Sequence, residues 1–253
     1  MRVTFLGTGT SQGVPVIGCE CKVCRSLDFR DKRLRSSIYL ETEDVSLVID
    51  TGPDFRQQML RESIKKLDAV VFTHEHKDHT AGLDDIRSFN FLQKKDMPVY
   101  ARQHVIEQLK REFAYIFTEH KYPGVPSLEV IPIDQQPFSI NKTEIIPVEV
   151  MHYKLPVLGF RVKDFTYITD AKTVTSEEKE KIKGSKTLVI NALQNDPHIS
   201  HMTLEEALAF ADEIGADHTY LTHISHKLGQ HRKVSEMLPD NVSIAYDGLK
   251  ISL

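Results

Sequence analysis

Thr73-His74-Glu75-His76-Lys77-Asp78-His79 puts three imidazoles and a carboxylate close together, directly after an apolar run from Leu67 to Phe72 that reads as a buried strand. Imidazole nitrogen and carboxylate oxygen are the usual ligands of zinc and of harder divalent ions such as manganese. In an extended segment His74 and His76 fall on the same side and can grip one ion. Asp78 and His79 follow an expected turn into a helix at Thr80-Ala81-Gly82-Leu83, from where they can address a second ion. Two ions roughly 3.5–4 Å apart would clamp the attacking and leaving oxygens of a hydrolytic displacement. One stretch cannot fill two coordination shells, so other strand ends must supply further ligands.

Several expected strands end in such residues. Val45 to Ile49 runs into Asp50, and a carboxylate beside a metal cluster is a natural outer partner for a ligand histidine. A later series of strands covers 128–133, 138–140, 143–151, 159–162 and 165–168; His152 closes one of them and Asp170 follows another. Thr219 to Thr222 ends at His223, with His226 three residues on. His201 precedes a helix opened by Thr203 and Glu206 at capping-box spacing, where unpaired backbone N–H groups favour an anion. The last segment, Val242 to Leu253, reads as a strand pair around Asp247-Gly248, with Asp247 a weaker outer-partner candidate. His104, His120 and His198 have no supporting pattern.

The intervening chain frames these positions. Val3 to Leu6 is an opening strand that enters Gly7-Thr8-Gly9-Thr10-Ser11-Gln12-Gly13, read as a loop at the rim of the site. It matches neither the Walker loop nor the dinucleotide fingerprint. Arg30 to Arg35 is a basic run: either a solvated face, or Arg33 and Arg35 drawing in an anionic substrate or bracing a loop. Residues 84–126 are expected to form a helical, aromatic-rich insertion within a single domain spanning 1–253. Strands and helices alternate in two comparable halves, which suggests two sheets packed face to face with helices outside.

A chain of 253 residues with net charge −4 can bury a sizeable core and does not offer a broad nucleic-acid surface. No apolar run approaches a membrane span, and the first residues lack the features of a signal peptide, so a cytoplasmic location is expected. Its three cysteines, Cys19, Cys21 and Cys24, are too few and too close for a disulfide framework.

His74, His76, Asp78 and His79, followed by His152, Asp170 and His223, resemble the full ligand series of the metallo-β-lactamase superfamily. The resemblance implies a four-layer αββα sandwich and two divalent ions, zinc or manganese. One ion would take His74, His76 and His152, the other Asp78, His79 and His223, with Asp170 bridging. Cys19, Cys21, Cys24 and His226 resemble an extra structural zinc site of the branch that contains the phosphoribosyl cyclic phosphate phosphodiesterase. His201-Met202-Thr203 resembles the segment of that branch whose histidine acts on phosphodiesters. The implied activity is hydrolysis of a small phosphodiester such as a ribose cyclic phosphate, with His201 and Asp78 as catalytic residues. The alternatives within the superfamily are a tRNA 3′-processing endonuclease and a thioesterase or lactonase; a non-catalytic binding module would have lost ligands. Nucleic acid and membrane are not the favoured partners, and a homodimer is compatible with the sequence.

Overall fold

The computed structural model describes residues 1–118 and 122–253, so His120 lies outside the described residues. Among the described residues, fourteen strands form two seven-stranded sheets. The first sheet holds β1 (Arg2–Gly7), β2 (Ser37–Glu41), β3 (Ser46–Ile49), β4 (Ala69–Val71), β5 (Met97–Ala101) and β6 (Leu128–Pro132). The second holds β7 (Phe138–Ile140), β8 (Thr143–His152), β9 (Leu155–Val162), β10 (Phe165–Tyr167), β11 (Thr187–Asn191), β12 (His218–Thr222) and β13 (Val242–Ile244). The final strand, β14 (Lys250–Ser252), returns to pair with β1 at the edge of the first sheet. Both sheets are mixed. β3 to β6 run parallel to their neighbours, as do β10 to β13, while β1–β2–β3 and β7–β8–β9–β10 are antiparallel.

The layering follows from which side chains alternate along the strands. Leu47 and Ile49 of β3 and Ala69 and Val71 of β4 face the second sheet, meeting Leu158, Phe160, Phe165, Tyr167 and Val189. Val48 and Val70, one residue out of phase, pack outward with residues of the helices α1 (Phe55–Arg61), α3 (Arg87–Gln93) and α4 (Gln103–Glu112). On the opposite side Val148, Val150, Leu188 and Ile190 pack with α5 (Ser176–Ile182) and α6 (Leu204–Ile214). A strand apolar on both faces must be covered on both, which dictates helix–sheet–sheet–helix layers. Each such aliphatic side chain contributes about 1.5–3 kcal/mol on burial. Thr203 and Glu206 form the expected capping box at the start of α6, and Gly215 ends that helix in the left-handed conformation.

Two expectations need correction. Residues 84–126 are not a helical insertion throughout, because Met97–Ala101 is an interior strand between β4 and β6. Pro98 disguises it, yet the segment alternates buried and half-buried residues as a strand does, and β5 builds the sheet itself. Val242 to Leu253 is not a paired hairpin either. β13 joins β12 and β14 joins β1, so this segment crosses from one sheet to the other through the Asp247-Gly248 turn.

The parallel strands β3 and β4, with β11 and β12, all end on one edge of the sandwich. Gly52, just beyond β3, lies so close to the short helix α2 (Lys77–Thr80) that an added Cβ would stand 2.2 Å from the Asp78 carbonyl oxygen. An added Cβ on Gly82 would meet the Gly52 carbonyl oxygen at 2.2 Å. These are backbone contacts that no rotamer change can relieve. Gly82→Ala is expected to cost about 1–3 kcal/mol by overpacking, lowering Tm by about 2–4 °C for each kcal/mol in a thermal melt.

Candidate metal centre

His74 and His76 leave the end of β4, and Asp78 and His79 occupy α2, which starts directly after His76. Across the cleft, β8 delivers His152, the segment after β10 delivers Asp170, and the residue after β12 is His223. Asp78, His79, Asp170 and His223 bring ligand atoms within 4.8 Å of one another, and so do His152, Asp170 and His201. Asp170 belongs to both groups and therefore stands between them. His74 Nε2 lies 3.0 Å from His76 Nδ1, and the ring of His152 lies 5.3 Å from that of His76, centroid to centroid. Every residue of the expected ligand series thus converges on one strand-end cleft.

The positions are fixed by a relay beneath the ligands. His79 Nδ1 donates to Asp50 Oδ2 at 2.7 Å, while Thr73 donates to the same carboxylate from its backbone N–H at 2.9 Å and its hydroxyl at 2.8 Å. The Thr73 hydroxyl in turn accepts from His74 Nδ1 at 2.9 Å. On the other side, His152 Nδ1 donates to the Ser200 carbonyl oxygen at 2.9 Å. Fixing the Nδ1 proton in this way leaves the Nε2 lone pairs of His74, His79 and His152 for an ion. Asn191 brackets the chain just after Asp170, accepting from the Ala171 N–H at 2.7 Å and donating to its carbonyl at 2.9 Å. Asp50, Asp170 and His223 all adopt the left-handed conformation, with φ of 66°, 57° and 55°. That backbone is costly for a residue with a Cβ, least so for Asp, Asn and His, and such residues cluster at functional sites.

Charge in the cleft is as constrained as shape. Burial pushes the Asp50 carboxyl upward, partly offset by His79 and Thr73. Burial works against the charged form of His79 too, but Asp78, Asp170 and Asp50 outweigh it and hold its imidazole well above the usual range. Asp78 and Asp170 are held low despite burial, Asp78 by His79 and Asp170 by His223 and His79. A proton on His79 thus balances carboxylates that a metal cation would otherwise satisfy. His79 Nε2 lies 3.2 Å from Asp78 Oδ2 and from Asp170 Oδ2 and is buried with no well-formed hydrogen bond among the described residues. A donor set of imidazoles and carboxylates with an orphaned buried nitrogen at its centre fits divalent ions.

His201 is buried beside this cluster, its ring 4.5 Å from that of His152 and 4.9 Å from that of His223. Its Nδ1 is 3.9 Å from Asp170 Oδ1 and has no hydrogen-bond partner among the described residues. Burial, reinforced by His223, brings its imidazole down to about 3. His198 lies next to it, with ring centroids 5.1 Å apart.

A second cluster sits nearby. Cys19, Cys21 and Cys24 place their Sγ atoms 3.2, 3.4 and 3.5 Å from His226 Nδ1. Backbone N–H groups of Cys24 and Val16 lie 3.4 Å from the sulfurs of Cys21 and Cys24. The Cys24 N–H draws the Cys21 thiol down to about 6 despite desolvation, whereas burial raises Cys24 to about 11. Three sulfurs and one imidazole nitrogen within 4.8 Å of one another match in type the donor set of a closed tetrahedral zinc site.

The remaining candidates resolve into braces. Arg35 pairs with Asp54 at 3.0 Å and reaches the Ser11 carbonyl, so it steadies the glycine loop rather than facing the cleft. Arg33 is buried, donating to the Thr8 hydroxyl and the Ala245 carbonyl. Asp247 touches no ligand; it accepts from Thr8 and from the Leu34 N–H. His104 lies 3.5 Å from Glu75. Sequence reasoning missed Thr73, Asn191 and the Ser200 carbonyl. Thr73 directly precedes His74 and could have been singled out; a backbone carbonyl and an asparagine four positions into a strand carry no signal.

The family model described as the beta-lactamase superfamily domain matches residues 46–224. The crystal structure of a new diphosphatase from the PhnP family superposes with a TM-score of 0.93 at 39% identity, covering 100% of this chain and 97% of that one. The chain belongs to the beta-lactamase superfamily, in its PhnP family. Zinc-bound PqqB from Methylobacterium extorquens shares the fold of this PhnP-family chain, with a TM-score of 0.81, 19% identity and full coverage of both. An octanoyltransferase of Porphyromonas gingivalis is 40% identical over 99% of this chain; the chain spans about half (51%) of that relative's length. Among the described residues no helix is long and apolar enough to cross a membrane.

Two outcomes follow for this PhnP-family chain. Asp50→Asn, which keeps the shape but not the charge beneath His79, is expected to weaken metal affinity about 10–100-fold in a competition titration with a chelator. Cys21→Ser is expected to remove one metal equivalent by elemental analysis, leaving the His/Asp cluster loaded.

Proposed function

We propose that this chain hydrolyses a small phosphodiester, with a ribose cyclic phosphate as the leading candidate. His74, His76 and His152 would hold one divalent ion, and Asp78, His79 and His223 a second, with Asp170 shared between them. Zinc and manganese both suit these ligands. Such a pair supplies Lewis acidity toward the phosphoryl group and an activated water as nucleophile. Cys19, Cys21, Cys24 and His226 would hold a structural zinc that ties the N-terminal loop to the end of β12.

His201 is the observation that carries this reading. An imidazole buried at the wall of a metal cleft, with an unsatisfied ring nitrogen, is costly unless a substrate completes it. A phosphoryl oxygen is the fitting partner. Before substrate arrives, burial keeps the ring neutral; a phosphate anion beside it favours the protonated form. His201 then holds a phosphoryl oxygen and hands a proton to the departing alkoxide, a role imidazole fills near neutral pH. Asp78 acts chiefly as a ligand, its charge kept by His79. The PhnP-family neighbour, a diphosphatase, also cleaves at phosphorus, in line with this choice of reacting atom.

His201→Ala is expected to lower kcat on a bis-aryl phosphodiester and on ribose cyclic phosphates by about 10²–10⁴-fold while elemental analysis finds its metal content unchanged. Loss of a metal equivalent in that variant would make His201 a ligand and overturn its assignment. Turnover of an octanoyl thioester by the metal-loaded wild type, with no phosphodiester cleaved, would replace the reading with an acyl one.

A further inference from the structure

Residues 14–33 form a loop that leaves the rim segment after β1 and returns to it. Val14 and Arg33 close its base, each N–H donating to the other's carbonyl oxygen, at 2.8 and 2.7 Å. Above that base the apolar packing is thin. Val14, Val23 and Cys24 are buried, with Val16, Cys19 and Cys21 partly covered against them. Three of these six residues are the cysteines themselves, while Ile17 and Leu27 stand fully exposed. A loop without a core of its own takes its order from whatever links its side chains. Here that link is the contact of three sulfurs with His226.

The three cysteines are not equivalent. Cys21 and Cys24 share one turn, in which the Arg25 N–H donates to the Cys21 carbonyl oxygen at 3.0 Å and the Ser26 N–H to that of Val23 at 3.1 Å. The Cys24 N–H faces the Cys21 sulfur, 3.4 Å away. Backbone bonds thus keep this C-x-x-C pair together independently of any ion. Cys19 lies outside the turn and joins the cluster through its 3.2 Å contact with His226. Cys21 is half-buried and open to small solutes, whereas Cys24 is buried. Zinc has no redox chemistry of its own, so an oxidant draws electrons only from the sulfurs. An accessible sulfur with a second one beside it on a C-x-x-C turn is the arrangement in which oxidation ends as a disulfide.

We infer that Cys21 and Cys24 are a reversible oxidation site, at which a peroxide turns the ion-holding cluster into a disulfide and releases the N-terminal loop. The Cys21 thiolate attacks one peroxide oxygen. The O–O bond breaks, hydroxide leaves to be protonated to water, and Cys21 becomes a sulfenic acid. The Cys24 sulfur then displaces the sulfenic hydroxyl, which leaves as a second water, and the disulfide closes. Two thiolates, one hydrogen peroxide and two protons give one disulfide and two waters. With two of its four donors consumed, the zinc departs from Cys19 and His226. The change reaches the His/Asp centre along the segment that joins His226 to His223. The Ile224 N–H donates to the Thr8 carbonyl oxygen at 2.9 Å, its carbonyl accepts from the Thr10 N–H at 3.1 Å, and the Thr10 hydroxyl meets His223 at 3.2 Å. Once the loop and His226 are free, this segment holds His223 less firmly. The inference rests on the zinc reading of the cluster, and the test separates the two.

The metal-loaded protein is treated with a small excess of hydrogen peroxide, and every readout is independent of substrate. A chromogenic zinc chelator is expected to report one ion released per chain, and thiol titration the loss of two of the three thiols. Trypsin cuts after Lys22, between the two cysteines, so mass spectrometry is expected to find the peptide ending in Lys22 joined to Val23-Cys24-Arg25. Dithiothreitol with added zinc is expected to undo the link and restore the metal content. In the oxidised protein the His/Asp cluster is expected to lose its ions to a competing chelator about tenfold more readily. Cys19→Ser is expected to keep the joined pair and Cys21→Ser to abolish it. Zinc that stays bound with all three thiols intact overturns the oxidation site and leaves the zinc reading standing. A joined pair that persists in Cys21→Ser also overturns it, as does conversion to sulfinic or sulfonic acid with no joined pair. Unchanged ion affinity at the His/Asp cluster after oxidation overturns the coupling between the two sites. A joined pair formed in protein whose cluster held no zinc beforehand sinks the zinc reading and leaves the oxidation site standing.

Discussion

A carboxylate taken out of water keeps its charge only if something cationic stands beside it. Asp50, Asp78 and Asp170 are brought to one side chain, His79, at the base of the cleft. That concentration of negative charge is what the rest of the molecule must support. Parallel strands in both sheets end on the same edge, so their loops meet there, and the pair Gly52 and Gly82 lets α2 press against the loop carrying Asp50. The apolar interior between the sheets supplies rigidity, and it also supplies the low dielectric that makes the charges costly. Stability and the demand for a cation have one origin in this fold.

The hydrogen-bonding groups around the ligands share a design. Each of His74, His79 and His152 has its Nδ1 fixed by an acceptor: the hydroxyl of the adjacent Thr73, the distant Asp50 carboxylate and the distant Ser200 carbonyl. The acceptor for His152 lies one residue before His201, so the loop that orients one ligand also sets the position of the unpartnered imidazole. The Cys/His cluster performs a parallel task for the N-terminal loop, because His226 is separated from His223 by only two residues and Thr10 accepts or donates at His223 Nε2 over 3.2 Å.

Much of this was legible in the chain. His74, His76, Asp78 and His79 stand out because four side chains of metal-ligand type crowd the end of one apolar run. His152, Asp170 and His223 stand out because each follows an expected strand. Asp50 was readable for the same reason. Less legible was anything that depends on pairing between distant segments. Met97–Ala101 contains a proline and is flanked by helical residues, so its place inside the first sheet emerges only from its neighbours β4 and β6. Val242 to Leu253 has the pattern of a hairpin, and nothing local says that its two strands serve different sheets. Asp247 looked like a strand-end carboxylate of the Asp50 kind, but the turn carries it to Thr8 and Leu34 instead.

The left-handed backbone at Asp50, Asp170 and His223 puts a conformational cost on those three side chains. Glycine or asparagine at any of the three would suit the local dihedral angles as well or better, and removing a buried carboxylate would also remove the need for a counter-charge. Replacing them would therefore be downhill in conformational energy at those strand ends. Asp, Asp and His there carry a backbone cost that packing alone does not repay.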